Sequence, residues 1–319
     1  MELQAAPFFQ EVAPGPLRGA AHWVTTSDDV RIRVGHWLPQ TSNGTVLLFP
    51  GRTEFIEKYS ETAGALAARG YATLAIDWRG QGLADRLHEN RELGHIGHFP
   101  DYQKDVAAAL RIARALELPR PWHLLAHSMG GAIGLRAAIE GLPVQSCAYS
   151  GPMWGIYMSP IMRPIGWAIA CAGPAIGLGA MLPPSTKSTT YVLAEPFEGN
   201  TLTTDPAMYK MMQDQAKAHP ELVIGGPSLI WLREALTECK HLVERPSPDM
   251  PCLCFMGGDE AIVDTQRVHE RMESWPRGQL DVIDGARHEV LMEAPAIRNH
   301  VMDRLAAFCS GARDLSRSA

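Results

Sequence analysis

Short apolar runs alternate along this chain with longer stretches in which apolar residues return every three or four positions. The runs Thr45–Phe49, 71–76, Trp122–His127, 144–150, 251–256 and 279–283 read as strands. Between them, Phe55, Ile56, Tyr59, Ala63, Leu66 and Ala67 recur at helical spacing, and Gly70 is placed to stop that helix. Residues 101–118 and 265–275 read as helices too, as does 295–309 with Ile297, Val301, Leu305 and Phe308 inward. Residues 22–39 read as a β-hairpin turning at Ser27-Asp28-Asp29. Strand and helix in alternation predict an α/β fold, a mostly parallel sheet with helices on both faces.

The alternation breaks between 152 and 242, where helical pieces rich in proline and methionine carry no convincing strand. That block is expected to be a helical cap inserted over the strand ends, where such folds place ligands. It divides the core into 1–151 and 243–310 and leaves 311–319 as a flexible tail. Residues 164–182 are uncharged, but two prolines, four glycines and an alanine-rich remainder favour a packed lid helix over a membrane span. Transient contact of this cap with a lipid surface stays open.

Composition narrows the picture. Of 319 residues, 46% are hydrophobic and 20% charged, ordinary values for a globular enzyme. A net charge of −6 gives no basic field, so nucleic acid is not an expected partner. The six cysteines are scattered through apolar runs and read as reduced core residues. Cys252 and Cys254 have no second pair for a zinc site, and His88, His95 and His98 lack metal-ligand spacing. No metal and no cofactor are expected. Residues 1–16 show no basic start leading into an apolar core, so a cytoplasmic protein, at most peripheral to the membrane, is expected.

The chemistry centres on Ala126-His127-Ser128-Met129-Gly130, between a buried strand and a small-residue helix. A serine on such a turn takes a strained backbone, so its neighbours two positions away must be small. Its hydroxyl needs a histidine base oriented by a carboxylate, following in the order acid, then histidine. Cys252 to Asp259 and Leu280 to His288 both read as a strand running into a glycine turn and then a polar residue. Asp259 is the expected acid on this strand-end logic, with Glu260 and Asp264 as competitors, and His288 is the expected base. His127 is expected to be structural. The developing oxyanion needs backbone donors, assigned to Met129 and to Arg52 after Pro50-Gly51.

Together these residues resemble the α/β-hydrolase superfamily. The segments Pro50 to Glu54, Asp77 to Gly82, Ala126 to Gly131, Gly258-Asp259 and Arg287 to Glu289 are similar to its serine aminopeptidase S33-type branch, which includes monoacylglycerol lipases and lysophospholipase L2-like proteins. The resemblance implies Ser128, Asp259 and His288 as triad, Arg52 and Met129 as oxyanion donors, Glu54 supporting the oxyanion loop, and Asp77 to Gly82 shaping the turn after its strand. Two departures stand out: Pro50 where the branch commonly has histidine, and Ala126 where the elbow usually has glycine.

Substrate choice is expected to lie in the cap, where Met153, Trp154 and Tyr157 are large apolar groups suited to an acyl chain. The expected reaction is hydrolysis of a monoacylglycerol or lysophospholipid ester through an acyl-enzyme on Ser128. Two rivals remain: a peptidase whose lid acids (Glu195, Glu198, Asp205, Asp214) hold a substrate ammonium, and a catalytically silent member that binds a ligand or partner. Oligomeric state is not legible.

Overall fold

The computed structural model describes residues 3–159, 161–184 and 186–317, with side chains through 311. Its centre is a nine-stranded sheet. The strands are β1 (Gln4–Ala6), β2 (Ala20–Thr25), β3 (Arg31–Trp37), β4 (Thr45–Phe49), β5 (Ala72–Asp77), β6 (Trp122–His127), β7 (Ser146–Ser150), β8 (Cys252–Gly257) and β9 (Gly278–Ile283). They lie side by side as β1-β2-β3-β5-β4-β6-β7-β8-β9. The first three and the β3–β5 pair are antiparallel, and every pair from β5 to β9 is parallel. The hairpin of β2 and β3 is as expected, and β1 adds an edge strand that its three residues do not announce.

Strands β4, β6 and β8 are buried at every position because both faces of the sheet are covered. On one side α2 (Tyr102–Ala115) and α3 (Met129–Ile139) bury Val106, Ile112, Ile133 and Leu135. On the other, α1 (Ser60–Ala67) and the terminal helix bury Leu66, Val301 and Leu305. Gly70 sits at φ +82°, a left-handed stop for the helix before it.

Between β7 and β8 the described residues form no strand, only α4 (Met162–Ala175), α5 (Tyr191–Ala194), α6 (Pro206–Ala218), α7 (Leu229–Val243) and a 3-10 turn. Two of these helices have explicit starts: Asp205 accepts from the backbone N–H groups of Ala207 and Met208, and Ser228 from that of Trp231. After β8 come α8 (Thr265–Glu273), β9 and α9 (Pro295–Arg317). The last helix continues past residue 309, so most of the segment expected to be a flexible tail is helical; residues 318 and 319 lie outside the described residues.

No helix among the described residues is long and apolar enough to cross a membrane. The six cysteines form no disulfide; five are buried and Cys171 on α4 is exposed.

Candidate active site

Ser128 stands between β6 and α3 at φ +50°, ψ −118°, the strained turn its sequence context predicts. The turn is held from below: Ser128 N–H donates to Ser150 O at 3.0 Å, and Ser128 O accepts from Gly131 and Met153. A Cβ on Gly130 would lie 2.1 Å from Phe49 O, so only glycine fits there. Ala126 is tolerated for a different reason. Its methyl faces Gly134, where an added Cβ would come within 3.1 Å, so the glycine at 134 leaves the room that the methyl occupies.

His288 follows β9 and is 3% exposed. Its Nδ1 meets Glu260 Oε2 at 2.7 Å. Asp259, the expected acid, is exposed and points away; the carboxylate on the histidine is its neighbour Glu260. Successive residues after a strand face opposite ways, and here the turn is fixed by Asp259 N–H donating to Ala286 O, which sends residue 260 inward. Glu260 Oε1 then accepts from the N–H groups of Ile262 and Val263. Burial works against the charge of Glu260, but His288 and those two N–H groups outweigh it and lower its pKa. Asp264, the other competitor, pairs with Arg163 instead.

Gly151, which the sequence did not single out, makes room for this pair. It sits at φ +48°, and a Cβ there would lie 3.0 Å from His288 Nδ1 and 3.2 Å from Glu260 Oε2.

The loop after β4 approaches the serine closely: a Cβ on Gly51 would lie 3.1 Å from Ser128 Cβ. The turn after β5 grips this loop. Trp78 Nε1 donates to Pro50 O at 2.9 Å, and Gln81 Nε2 donates to Gly51 O at 2.8 Å and to Glu54 O at 3.1 Å. Asp77 organises that turn from a fully buried position, accepting from Arg33, Ile56 and Leu83.

Beneath the serine lies a buried charge cluster. Glu54 Oε2 accepts from Gly51 N–H and from Tyr59 Oη, and Lys58 Nζ donates to Glu54 Oε1 and to Glu289 Oε1, the latter at 2.6 Å. His127 Nδ1 meets Ser150 O at 2.9 Å, and its Nε2 lies 3.4 Å from Glu289 Oε2. Both ring nitrogens thus face oxygens, and the nearby carboxylates favour charge on the ring. Burial opposes that charge, but Glu289 and Glu54 outweigh it and raise the His127 pKa. Glu54, His127 and Glu289 offer ligand atoms within 4.8 Å of one another, yet the Lys58 ammonium already holds both carboxylates, so a metal would have to displace it.

Ser128 and His288 open onto one cavity of about 330 Å³. Its floor includes Gly51, Arg52 and Glu54, and its roof Tyr191, Val192, Leu202, Met212 and Val223 from the cap. The residues expected to contact substrate lie elsewhere. Met153 and Trp154 are buried in the core, with the Trp154 ring packed against Tyr149 and Trp275 and its Nε1 donating to Gly131 O. Tyr157 is 58% exposed. The lid acids weighed for a peptidase, Glu195, Glu198, Asp205 and Asp214, do not line the cavity either: Glu195 pairs with Lys187, Asp214 with Lys210, and Asp205 caps α6.

Comparison with known proteins places this geometry in a family. A family model described as serine aminopeptidase, S33 matches residues 40–295. The chain belongs to that family. It is 32% identical over 305 residues to lysophospholipase L2 of Escherichia coli K12, covering 89% of this chain and 85% of that protein. Monoglyceride lipase of Rattus norvegicus is 24% identical over 280 residues, covering 86% and 85%. Among solved structures, a soluble variant of monoglyceride lipase from Saccharomyces cerevisiae superposes at a TM-score of 0.70 with 19% identity, covering 96% of this chain and 97% of that one. That last likeness bears on the fold, the α/β-hydrolase fold that the resemblance of the motifs implied.

Proposed function

We propose that this protein is a serine hydrolase that cleaves the carboxylic ester of a monoacylglycerol or lysophospholipid. The observation that carries the reading is the joint placement of Ser128 on its strained turn and the His288–Glu260 pair on one largely apolar cavity. In this reading His288 takes the Ser128 proton as Oγ attacks the ester carbonyl, and Glu260 stabilises the imidazolium that forms. The N–H groups of Met129, at the start of α3, and of Arg52 receive the oxyanion. Collapse of the tetrahedral intermediate releases the alcohol, protonated by His288, and leaves the acyl-enzyme. Water activated by the same histidine then frees the fatty acid.

The apolar roof from Val192, Leu202, Met212 and Val223 supports an acyl chain rather than a charged amine. The outer surface of the cap supports an encounter with lipid. Ile161, Met162 and Ile165 at the start of α4, with Ile176, Leu178 and Met181 after it, are all more than 40% exposed. A peripheral association through this face fits a substrate that resides in membranes.

Hydrolysis of a p-nitrophenyl ester series from acetyl to palmitoyl, in the wild type and Ser128→Ala, tests the reading. Activity that peaks at medium or long chains and is lost in the variant supports it. Activity that survives the variant removes Ser128 from the mechanism.

A further inference from the structure

Arg52 is the one cavity-lining cation that is not held by an acid among the described residues. Lys58, the other lysine or arginine of the lining, lies between Glu54 and Glu289, and His127 faces Glu289. No carboxylate of a described residue lies within ion-pair distance of the Arg52 guanidinium. Its contacts are a 2.8 Å hydrogen bond from Nη1 to Gly225 O and the Trp231 ring, 5.4 Å from Cζ to the centroid. A guanidinium carries five N–H donors in a rigid fork, and this one uses one of them. Gly94 keeps the space open, since a Cβ there would lie 3.0 Å from Nη1. Arg52 is half-buried, and partial desolvation without a counter-charge lowers its pKa to about 10. A folding role alone needs one donor for Gly225 O and cover for Trp231, and leaves the rest of the fork without a task.

We infer that the Arg52 guanidinium receives the phosphodiester of a lysophospholipid whose ester carbonyl sits between Ser128 and the Arg52 backbone N–H. The inference rests on the ester-hydrolase reading of the cavity and names the headgroup class it selects. Covalent structure supports the match. From the arginine backbone nitrogen to its guanidinium carbon runs the same number of bonds as from the acyl carbon to the phosphorus of a 1-acyl lysophospholipid. One residue therefore spans both ends of the glycerol unit, the backbone N–H at the developing oxyanion and the fork at the phosphate. With Nη1 fixed on Gly225, the Nε and Nη2 edge is free to bind two phosphate oxygens side by side. A monoacylglycerol ends in a hydroxyl at that place and leaves the guanidinium without its anion.

The test compares kcat/KM for two substrates sharing one lauroyl chain, 1-lauroyl lysophosphatidylcholine and 1-lauroylglycerol, in the wild type, Arg52→Gln and Arg52→Lys. The expected result is a wild-type preference for the lysophospholipid that falls about tenfold or more in Arg52→Gln. Arg52→Lys should keep part of it. A preference unchanged within about twofold in Arg52→Gln overturns the inference. Should Arg52→Gln not fold, protection of wild-type Ser128 from a fluorophosphonate probe decides: glycerol 3-phosphate should protect, and equal weakness of glycerol 3-phosphate and glycerol overturns the inference. Protection by inorganic phosphate as strong as by glycerol 3-phosphate would assign the site to free phosphate and overturn it as well. Failure of the ester-hydrolase reading is seen separately, as a wild type that cleaves neither lipid.

Discussion

Glu260 Oε2 lies 2.7 Å from His288 Nδ1, while Asp259, one residue earlier, faces solvent. This pair separates two neighbouring acids by role. Glu260→Ala should lower kcat for ester hydrolysis by roughly 10³–10⁴-fold, the scale of removing a triad acid, and Asp259→Ala should change it less than about threefold. Steady-state kinetics on a p-nitrophenyl ester distinguishes them.

The same carboxylate links stability to acid. Its folded pKa lies below the ordinary 4.5, so the stabilisation from charged Glu260 is complete above that value and is lost as the pH falls through the lower folded value. A series of Tm measurements from pH 7 to pH 3 should show a shallower acid decline for Glu260→Gln than for the wild type. Parallel curves would contradict the pairing.

Lys58 joins the oxyanion loop, through Glu54, to the residue following His288. Lys58→Met leaves two buried carboxylates without their shared cation and should destabilise the protein by about 3–5 kcal/mol. Where the variant folds, kcat should fall more than KM rises, because loop register and not substrate contact is lost. Chemical denaturation together with kinetics reads both effects.

Substrate length is set by the roof of the cavity. Met212→Trp should shift the optimum of a p-nitrophenyl ester series toward shorter chains, whereas Trp154→Ala should leave that optimum in place and cost about 3–5 kcal/mol of stability. A change in chain preference with Trp154→Ala and none with Met212→Trp would return substrate contact to the start of the cap.

Much of this was legible in the chain. Strands 45–49 and 122–127 stand at the same residues in the sequence reading and in the structure, because a short apolar run bounded by turns admits little else. Ser128 and His288 emerge at one edge of the sheet because parallel strands end together. The choice between Asp259 and Glu260 was not legible, since it depends on a single backbone bond from residue 259 to Ala286. The N–H groups of Ile262 and Val263 that hold Glu260 were a second tertiary detail. The roof was missed for a related reason. Met153 and Trp154 are large and apolar, which serves a core as well as a pocket, and only the packing of Trp154 on Trp275 tells them apart. Gly151 carried no motif, and its need for positive φ shows only when His288 lies against it.

Fatty-acid release from 1-palmitoyl lysophosphatidylcholine and 1-palmitoylglycerol, by the wild type and Ser128→Ala, tests the central claim most directly. Release of palmitate from at least one of these lipids by the wild type, reduced about 10⁶-fold in the variant, is the predicted result. A wild type that releases no palmitate from either, or a variant that releases it at the wild-type rate, would contradict the account.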